Sequence, residues 1–242
     1  MHGRRALVTG GAKGIGRAVA DRLTADGVVV TVLGRDEAAL AATGLRYAVA
    51  DVTDSALLAS AIGRLGPFDI LVNNAGAAFS APFHHHRPSD WDAMLSLNLT
   101  SCFTAMQCVL PGMVARSWGR IVSVASTAGL KGYAYTAAYC AAKHGLIGLT
   151  RALAVETART GVTVNAVCPG FTDTDLVDRA VQTIVNKTGK SAADARGALE
   201  RSNPQGRLVQ PAEVASAVAY LCRDDAGAMT GQAVAVAGGE VM

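Results

Sequence analysis

Short apolar runs recur along the chain, and few of them alternate with polar residues. They read ALVT (6–9), VVVTVL (28–33), RYAVA (46–50), DILVN (69–73), RIVSVA (120–125), VTVNAV (162–167) and AVAVA (233–237). A strand with one wet face alternates apolar and polar positions. A near-continuous Val/Ile run is expected of a strand covered on both faces. The segments between them are helix-like: 14–26, 54–65, 89–115, 137–160 and 211–223. Three carry start signals: Asp54, Ser89 ahead of Trp91, and Pro211 followed by Glu213. Strand–helix alternation of this kind predicts an α/β fold, a doubly wound parallel sheet with helices on both sides.

Composition narrows this picture. The 242 residues are half hydrophobic and 17% charged, enough to bury a large core. No linker or repeat divides them, so 1–242 reads as a single domain. Residues 175–208 interrupt the rhythm and read as a helical insertion, a lid over a substrate site. The net charge of +3 is scattered, with no basic block, which argues against nucleic acid and anionic membranes as partners. The apolar stretch at the N-terminus is too short for a signal peptide or a membrane span, so cytoplasm is the expected compartment. Five Cys with no C-x-x-C pair suggest buried thiols in a reducing compartment, not disulfides or zinc. His84, His85 and His86 match no common zinc spacing. They read as a loop beside a substrate cleft, and no metal is expected.

Chemistry enters at the first strand-to-helix turn, TGGAKGIGRAVADRL. Gly10, Gly14 and Gly16 allow positive φ and a close backbone approach, and a helix N-terminus offers free N–H groups. In this position they suggest a dinucleotide pyrophosphate site, with a plain tight turn as the alternative. A cofactor with a free ribose 2′-hydroxyl calls for an acidic residue at the end of the second strand. This chain has Gly34 and Arg35 there, while Asp36 starts the next helix. Arg35 offers a planar fork for a 2′-phosphate, and Lys13 adds a second cation. NADP(H) is therefore expected over NAD(H), unless both cations are merely solvated surface charges.

The stretch AYCAAKHG (138–145) sets a phenol, Tyr139, one helical turn from an ammonium, Lys143. With it, seven motifs run in order: TGGAKGIG (9–16), DVT (51–53), NNAG (73–76), LNLTS (97–101), VASTAGLKG (124–132), YCAAK (139–143) and CPGFTDT (168–174). Together they resemble the classical short-chain dehydrogenase/reductase family. The resemblance implies a single-domain Rossmann fold with seven parallel strands, a nicotinamide cofactor, and reversible carbonyl/alcohol chemistry. It places a catalytic tetrad on Asn98, Ser126, Tyr139 and Lys143, with Ser126 thirteen residues before Tyr139 as the family spacing requires. A free phenol titrates near pH 10, and a neighbouring ammonium favours the phenolate. In such a tetrad the tyrosine acts as acid in reduction and base in oxidation. Lys143 also holds the ribose hydroxyls, Ser126 binds the substrate oxygen, and Asn98 holds a water linking Lys143 to solvent. Thr127 is the poorer hydroxyl candidate.

The same resemblance assigns cofactor contacts. Thr9, Gly10, Lys13, Gly14, Ile15 and Gly16 form the phosphate turn, with Arg35 at the 2′-position. Asp51 and Val52 meet the adenine, and Asn74, Ala75 and Gly76 lie beneath the cofactor. Tyr139 and Lys143 also touch it, Pro169, Gly170, Phe171 and Thr172 line the nicotinamide, and Thr174 reaches the pyrophosphate. Asn73 is expected to stabilise the sheet. Cys140 is expected to be small and buried, and His144 to point away.

VTVNAVCPGF and RLVQPAEVASAVAYL are similar to polyketide ketoreductases and β-ketoacyl-thioester reductases, while the insertion resembles 3-hydroxybutyrate dehydrogenases. These all handle a 3-oxo or 3-hydroxy acyl group. The expected activity is NADP(H)-dependent reduction of a 3-oxoacyl thioester or related ketone. Oxidation of a secondary alcohol and a catalytically silent dinucleotide sensor are the alternatives. A homotetramer is the family expectation, with 89–115 and 137–160 at one interface and 211–223 with 233–237 at the other.

Overall fold

The computed structural model describes residues 1–241. They build one seven-stranded sheet in the order β3-β2-β1-β4-β5-β6-β7. The strands are β1 (Arg5–Thr9), β2 (Val29–Gly34), β3 (Arg46–Val49), β4 (Ile70–Asn73), β5 (Gly119–Val124), β6 (Val162–Pro169) and β7 (Ala233–Val236). Every pairing is parallel. The order reverses beside β1: the chain steps outward to β3, then returns to place β4 on the other side. The crevice at that reversal, at the carboxyl ends of β1 and β4, is where open α/β sheets bind ligands.

The uninterrupted apolar runs have a direct structural cause. Leu7, Leu71, Ile121, Val164 and Ala166 point to one face of the sheet and join one core. Their neighbours Ala6, Val8, Ile70, Val72, Val122 and Val167 point to the other face and join a second core. With both faces covered, neither set of alternate positions can be polar.

The helices are α1 (Gly14–Ala25), α2 (Glu37–Ala41), α3 (Ser55–Leu65), α4 (Pro88–Leu95), α5 (Ser101–Ala115), α6 (Ala137–Thr157), α7 (Asp175–Thr188), α8 (Ala192–Glu200) and α9 (Pro211–Leu221). Val19, Ala20 and Leu23 of α1 and Val214, Val218 and Ala219 of α9 cover one face. Leu58 and Ile62 of α3, Met106 and Val109 of α5, and Leu146 and Ile147 of α6 cover the other. The three-to-four residue spacing gives each helix one buried stripe. Asp54 caps α3, its carboxylate accepting from the N–H groups of Ala56 and Leu57 at 3.0 Å. Such a cap is worth about 1 kcal/mol. Asp36 caps α2 through Ala39 N–H, and α2 is only five residues long, as the short connection to β3 requires.

The N-terminus of α9 shows how a surface carboxylate can stabilise the fold. Glu213 accepts from Gln210 N–H at 2.7 Å and takes both Arg207 guanidinium nitrogens at 2.7 Å each. Arg207 first, then the Gln210 N–H, pull its carboxyl down from 4.5 to about 2. A depressed folded-state value gives stability that is complete above the unfolded value and fades as pH falls through the folded one. Both groups are well exposed, so screening keeps the effect small. Glu213→Gln is expected to lower Tm at pH 7 by about 1–3 °C. The difference from wild type should close between pH 4.5 and about 2 in an acid series of thermal melts; a difference that persists at the acid end rules this origin out.

Two details depart from the sequence reading, the π-turn at Ser96–Thr100 and the incomplete burial of two cysteines. Residues 88–115 run as one helix, long and apolar enough to cross a membrane, and the fold uses α5 to pack against α3, β4 and β5. Ser96–Thr100 form a π-turn within it, which periodicity did not predict. The insertion is helical, and it has its own small core of Val177, Val181, Ala195 and Leu208, with Phe171 packed against it. The cysteines are free, but only Cys102, Cys168 and Cys222 are buried, whereas Cys140 is half-buried and Cys108 exposed. Burial pushes the Cys168 thiol up to about 11 and the Cys222 thiol up to about 12, so neither is a nucleophile at neutral pH.

Candidate active site

The turn after β1 is shaped by close approach. Gly10 and Gly14 have φ of 63° and 54°, the left-handed region that favours glycine. A Cβ at Gly16 would run into the Gly10 carbonyl and the Asn74 side chain. Asn74 donates to the carbonyls of Thr9 and Gly10 at 3.0 and 3.1 Å. The Thr9 hydroxyl accepts from the N–H groups of Asn74 and Ala75 at 3.0 and 3.1 Å. Thr9 and Asn74 are thus engaged in tying the ends of β1 and β4 together, and they form the floor of the crevice. Lys13 occupies the N-cap of α1 and makes no side-chain cap. No side chain therefore caps the first-turn N–H groups of Gly14, Ile15 and Gly16, an arrangement that suits an anion. Thr174 closes this turn from the far side, 3.2 Å from where a Gly14 Cβ would stand.

The two cations singled out in the sequence each sit beside a carboxylate. Lys13 Nζ lies 3.1 Å from Asp36, and Arg35 lies 3.4 Å from Asp51. Asp51 is held below the usual carboxylate range mainly by Thr53, whose N–H and hydroxyl donate at 2.9 and 2.7 Å. Asp36 is lowered first by the Ala39 N–H and then by Lys13. Val52 is buried beneath this corner.

The four tetrad positions converge at the ends of β4 and β5. Lys143 is 4% exposed, and its ammonium donates to the Val124 carbonyl at 2.9 Å. It lies 5.7 Å from the centroid of the Tyr139 ring, one turn earlier on α6. Ala138 and Ala142 on the same helix are fully packed, and a Cβ at Gly129 would press on the Lys143 carbonyl. Small residues therefore bring α6 against the loop after β5. Ser126 follows β5, and its hydroxyl oxygen accepts from Ala128 N–H at 3.0 Å. Asn98 sits in the π-turn, 1% exposed, donating to the carbonyls of Ala77 and Met94 at 3.0 and 3.1 Å. Its Oδ1 is buried without a protein partner. A Cβ at Gly76 would stand 2.8 Å from that oxygen and 3.7 Å from Lys143 Nζ, so the two groups face the same gap. The π-turn adds a residue to one helical turn and so re-aims Asn98, a use such turns often have.

Past β6, Pro169 ends the strand and Gly170 N–H donates to the Val236 carbonyl at 3.1 Å. Thr172 turns back onto the Gly170 carbonyl at 3.0 Å, and Thr174 onto Thr172 at 3.2 Å. Phe171 meets the Tyr133 ring edge-on, 6.2 Å between centroids. His144 is exposed and bonded to the Cys140 carbonyl, away from the cleft. Asn73 reaches Ser123 across the sheet at 3.4 Å. His84 and His85 stack edge to face at 4.2 Å, while His86 bonds the Ala81 carbonyl. No group of three metal-ligating side chains occurs among the described residues. Sequence reasoning missed Lys131, Tyr133 and Glu240, which gather beside Thr127 and Gly170. Nothing local marks Glu240; it arrives there because β7 lies beside β6.

A family model for short chain dehydrogenase matches residues 4–184. D-beta-hydroxybutyrate dehydrogenase of Cupriavidus necator is 40% identical over 96% of this chain and 95% of its own. Acetoacetyl-CoA reductase of Shinella zoogloeoides is 41% identical over 98% of each. A solved structure of a variant actinorhodin polyketide ketoreductase with NADPH superposes with a TM-score of 0.92, at 39% identity over 99% of both chains. The chain belongs to the short-chain dehydrogenase family, and it is an oxidoreductase that works with a nicotinamide cofactor.

Proposed function

We propose that the protein reduces a 3-oxoacyl thioester or closely related ketone to the secondary alcohol, with NADP(H) as the preferred cofactor. The observation that carries this reading is the convergence of Tyr139, Lys143, Ser126 and Asn98 beside the glycine turn. The glycine turn, with its uncapped helix start and crowded Gly16, suits a pyrophosphate. When bound, the nicotinamide supplies the hydride. The chain's own groups do the rest. Ser126 directs its hydroxyl proton at the substrate oxygen, since its oxygen already accepts from Ala128. Tyr139 delivers a proton to the alkoxide as charge develops. Lys143 places a positive charge 5.7 Å from the centroid of the phenol ring. The unpartnered Asn98 Oδ1 is an acceptor for a water that leads from Lys143 toward solvent and returns the proton to Tyr139.

Arg35 and Lys13 support the 2′-phosphate, and the relatives that act on four-carbon 3-oxo or 3-hydroxy compounds support the substrate class. Residues 175–208 serve as a lid over the cleft: Lys187 on α7 donates to the Ser80 carbonyl at 3.3 Å, bridging the lid to the loop after β4. A homotetramer in the cytoplasm completes the reading. Phe103 and Val155 leave apolar surface on α5 and α6, the helices assigned to one interface.

The test is a cofactor and substrate panel followed by nicotinamide absorbance. NADPH with acetoacetyl-CoA is expected to turn over at least tenfold faster than NADH with the same substrate, as one lost charge-assisted contact predicts. The D-beta-hydroxybutyrate dehydrogenase relative favours a second reading, oxidation of a 3-hydroxy acid. Turnover of 3-hydroxybutyrate with NAD⁺ but none of acetoacetyl-CoA selects it. Tight NADPH binding with no turnover across a broad ketone set selects a silent dinucleotide sensor.

A further inference from the structure

Glu240 lies four residues past the end of β7, and its side chain is 2% exposed. Two groups converge on Oε1: the Tyr133 hydroxyl, and Lys131 Nζ at 3.2 Å. Oε2 is buried without a partner and stands 2.9 Å from where a Gly170 Cβ would be. Glu240 thus binds the loop after β5 through Tyr133 and leaves no room for a side chain at Gly170 in the loop after β6.

Proton counting gives this contact a direction. A carboxylate paired with an ammonium only accepts, so Tyr133 spends its one proton on Glu240. The Tyr133 oxygen also lies 2.7 Å from Thr127 Oγ1. With its proton committed, Tyr133 must accept there, and Thr127 must donate. The relay runs Thr127 to Tyr133 to Glu240. Burial first, then the Glu240 contact, push the Tyr133 phenol well above its ordinary value, which keeps the proton on it. Ser126 and Thr127 carry adjacent hydroxyls just past β5, Ser126 half-buried and Thr127 3% exposed. One has its proton drawn inward. The other accepts from Ala128 and donates to no group among the described residues.

We propose that Glu240 is a positioning residue that decides which of two adjacent hydroxyls meets the substrate: through Tyr133 it binds the Thr127 proton and leaves Ser126 as the one hydroxyl of the pair that joins Tyr139 at the substrate oxygen. This rests on the reading of Ser126 as the donor to the substrate oxygen. Tyr139 with one hydroxyl of the pair fixes one orientation of the carbonyl; Tyr139 with either of two permits two. Loss of the relay should therefore appear in the handedness of the product as well as in the rate.

The experiment measures kcat, NADPH KM and the enantiomeric ratio of the 3-hydroxybutyryl product from acetoacetyl-CoA. The variants are Glu240→Ala, Glu240→Gln, Tyr133→Phe, Thr127→Val and the double variant Glu240→Ala/Thr127→Val. Glu240→Ala and Tyr133→Phe are expected to lower kcat roughly tenfold, a fraction of the 10²–10³ that loss of an oxyanion donor costs. Both should erode enantiomeric purity and leave NADPH KM within about twofold. Glu240→Gln still accepts from Tyr133 and should stay within about threefold of wild type. Thr127→Val added to Glu240→Ala removes the competing donor and should restore purity. Unchanged kcat and purity in Glu240→Ala overturn the proposal. So does equal damage in Glu240→Gln and Glu240→Ala with a lower Tm, which marks a purely structural contact. If Glu240→Ala does not fold, Tyr133→Phe decides by the same two readouts. Ser126→Ala separates the layers. Retained turnover there removes the donor reading itself; lost turnover there, with normal purity in Tyr133→Phe, removes only the role of Glu240.

Discussion

Tyr139→Phe is expected to lower kcat for acetoacetyl-CoA reduction by about 10²–10⁴-fold, the usual contribution of a placed general acid. NADPH KM and Tm should hardly change. The geometry separates these effects. The Tyr139 hydroxyl makes no hydrogen bond among the described residues, so its removal leaves no buried partner unsatisfied. The ring remains, and with it the 5.7 Å approach to Lys143 Nζ. Lys143 keeps its bond to the Val124 carbonyl and so its own position. What disappears is one transferable proton at the cleft, which a uniform loss of binding cannot imitate: kcat and kcat/KM should fall together. Steady-state rates with a separate NADPH titration check this. Turnover within tenfold of wild type would reassign the acid to another group, with the Ser126 hydroxyl next to be tested.

Much of this was legible in the sequence because the physics involved is local. The glycine turn needs φ values that favour glycine at Gly10 and Gly14, and those residues announce themselves. The Tyr139–Lys143 pair is a helical i, i+4 relation, which spacing alone conveys. The doubly covered sheet follows from unbroken Val/Ile runs. The unreadable parts depend on chain segments meeting from far apart. The π-turn at Ser96–Thr100 shifts a helix register by one residue, and the composition SLNLT carries no mark of it. The structural roles of Thr9 and Asn74 needed the juxtaposition of β1 and β4, sixty-odd residues apart. Glu240 needed β7 set beside β6 before its carboxylate could reach the Tyr133 hydroxyl, 107 residues earlier. The pairing of Arg35 with Asp51 was likewise hidden, since two exposed charges sixteen residues apart show nothing of their distance.

That last pairing sharpens the second large effect. Arg35→Asp is expected to raise the NADPH KM about 100-fold while changing the NADH KM by less than about threefold. The Arg35 side chain is 76% exposed, and its contact to Asp51 is long, at 3.4 Å. An exposed pair of this kind is worth at most about 1 kcal/mol, so a 2′-phosphate can redirect the guanidinium at little cost. A charge-assisted contact to phosphate is worth about 1.5–3 kcal/mol, or roughly 10–150-fold in affinity. Charge reversal adds repulsion, because the new carboxylate stands beside Asp51 and faces the same phosphate. Lys13 does not compensate fully, since Asp36 already holds its ammonium at 3.1 Å. NADH carries a hydroxyl at the 2′-position and escapes both penalties. The repulsive share should weaken as salt rises, because the site is open to solvent. The NADPH penalty is therefore expected to be smaller at high ionic strength, and KM measured with both cofactors at two salt concentrations checks it. Equal shifts for the two cofactors would mean that Arg35 shapes the adenine end in general, and phosphate reading would pass to Lys13.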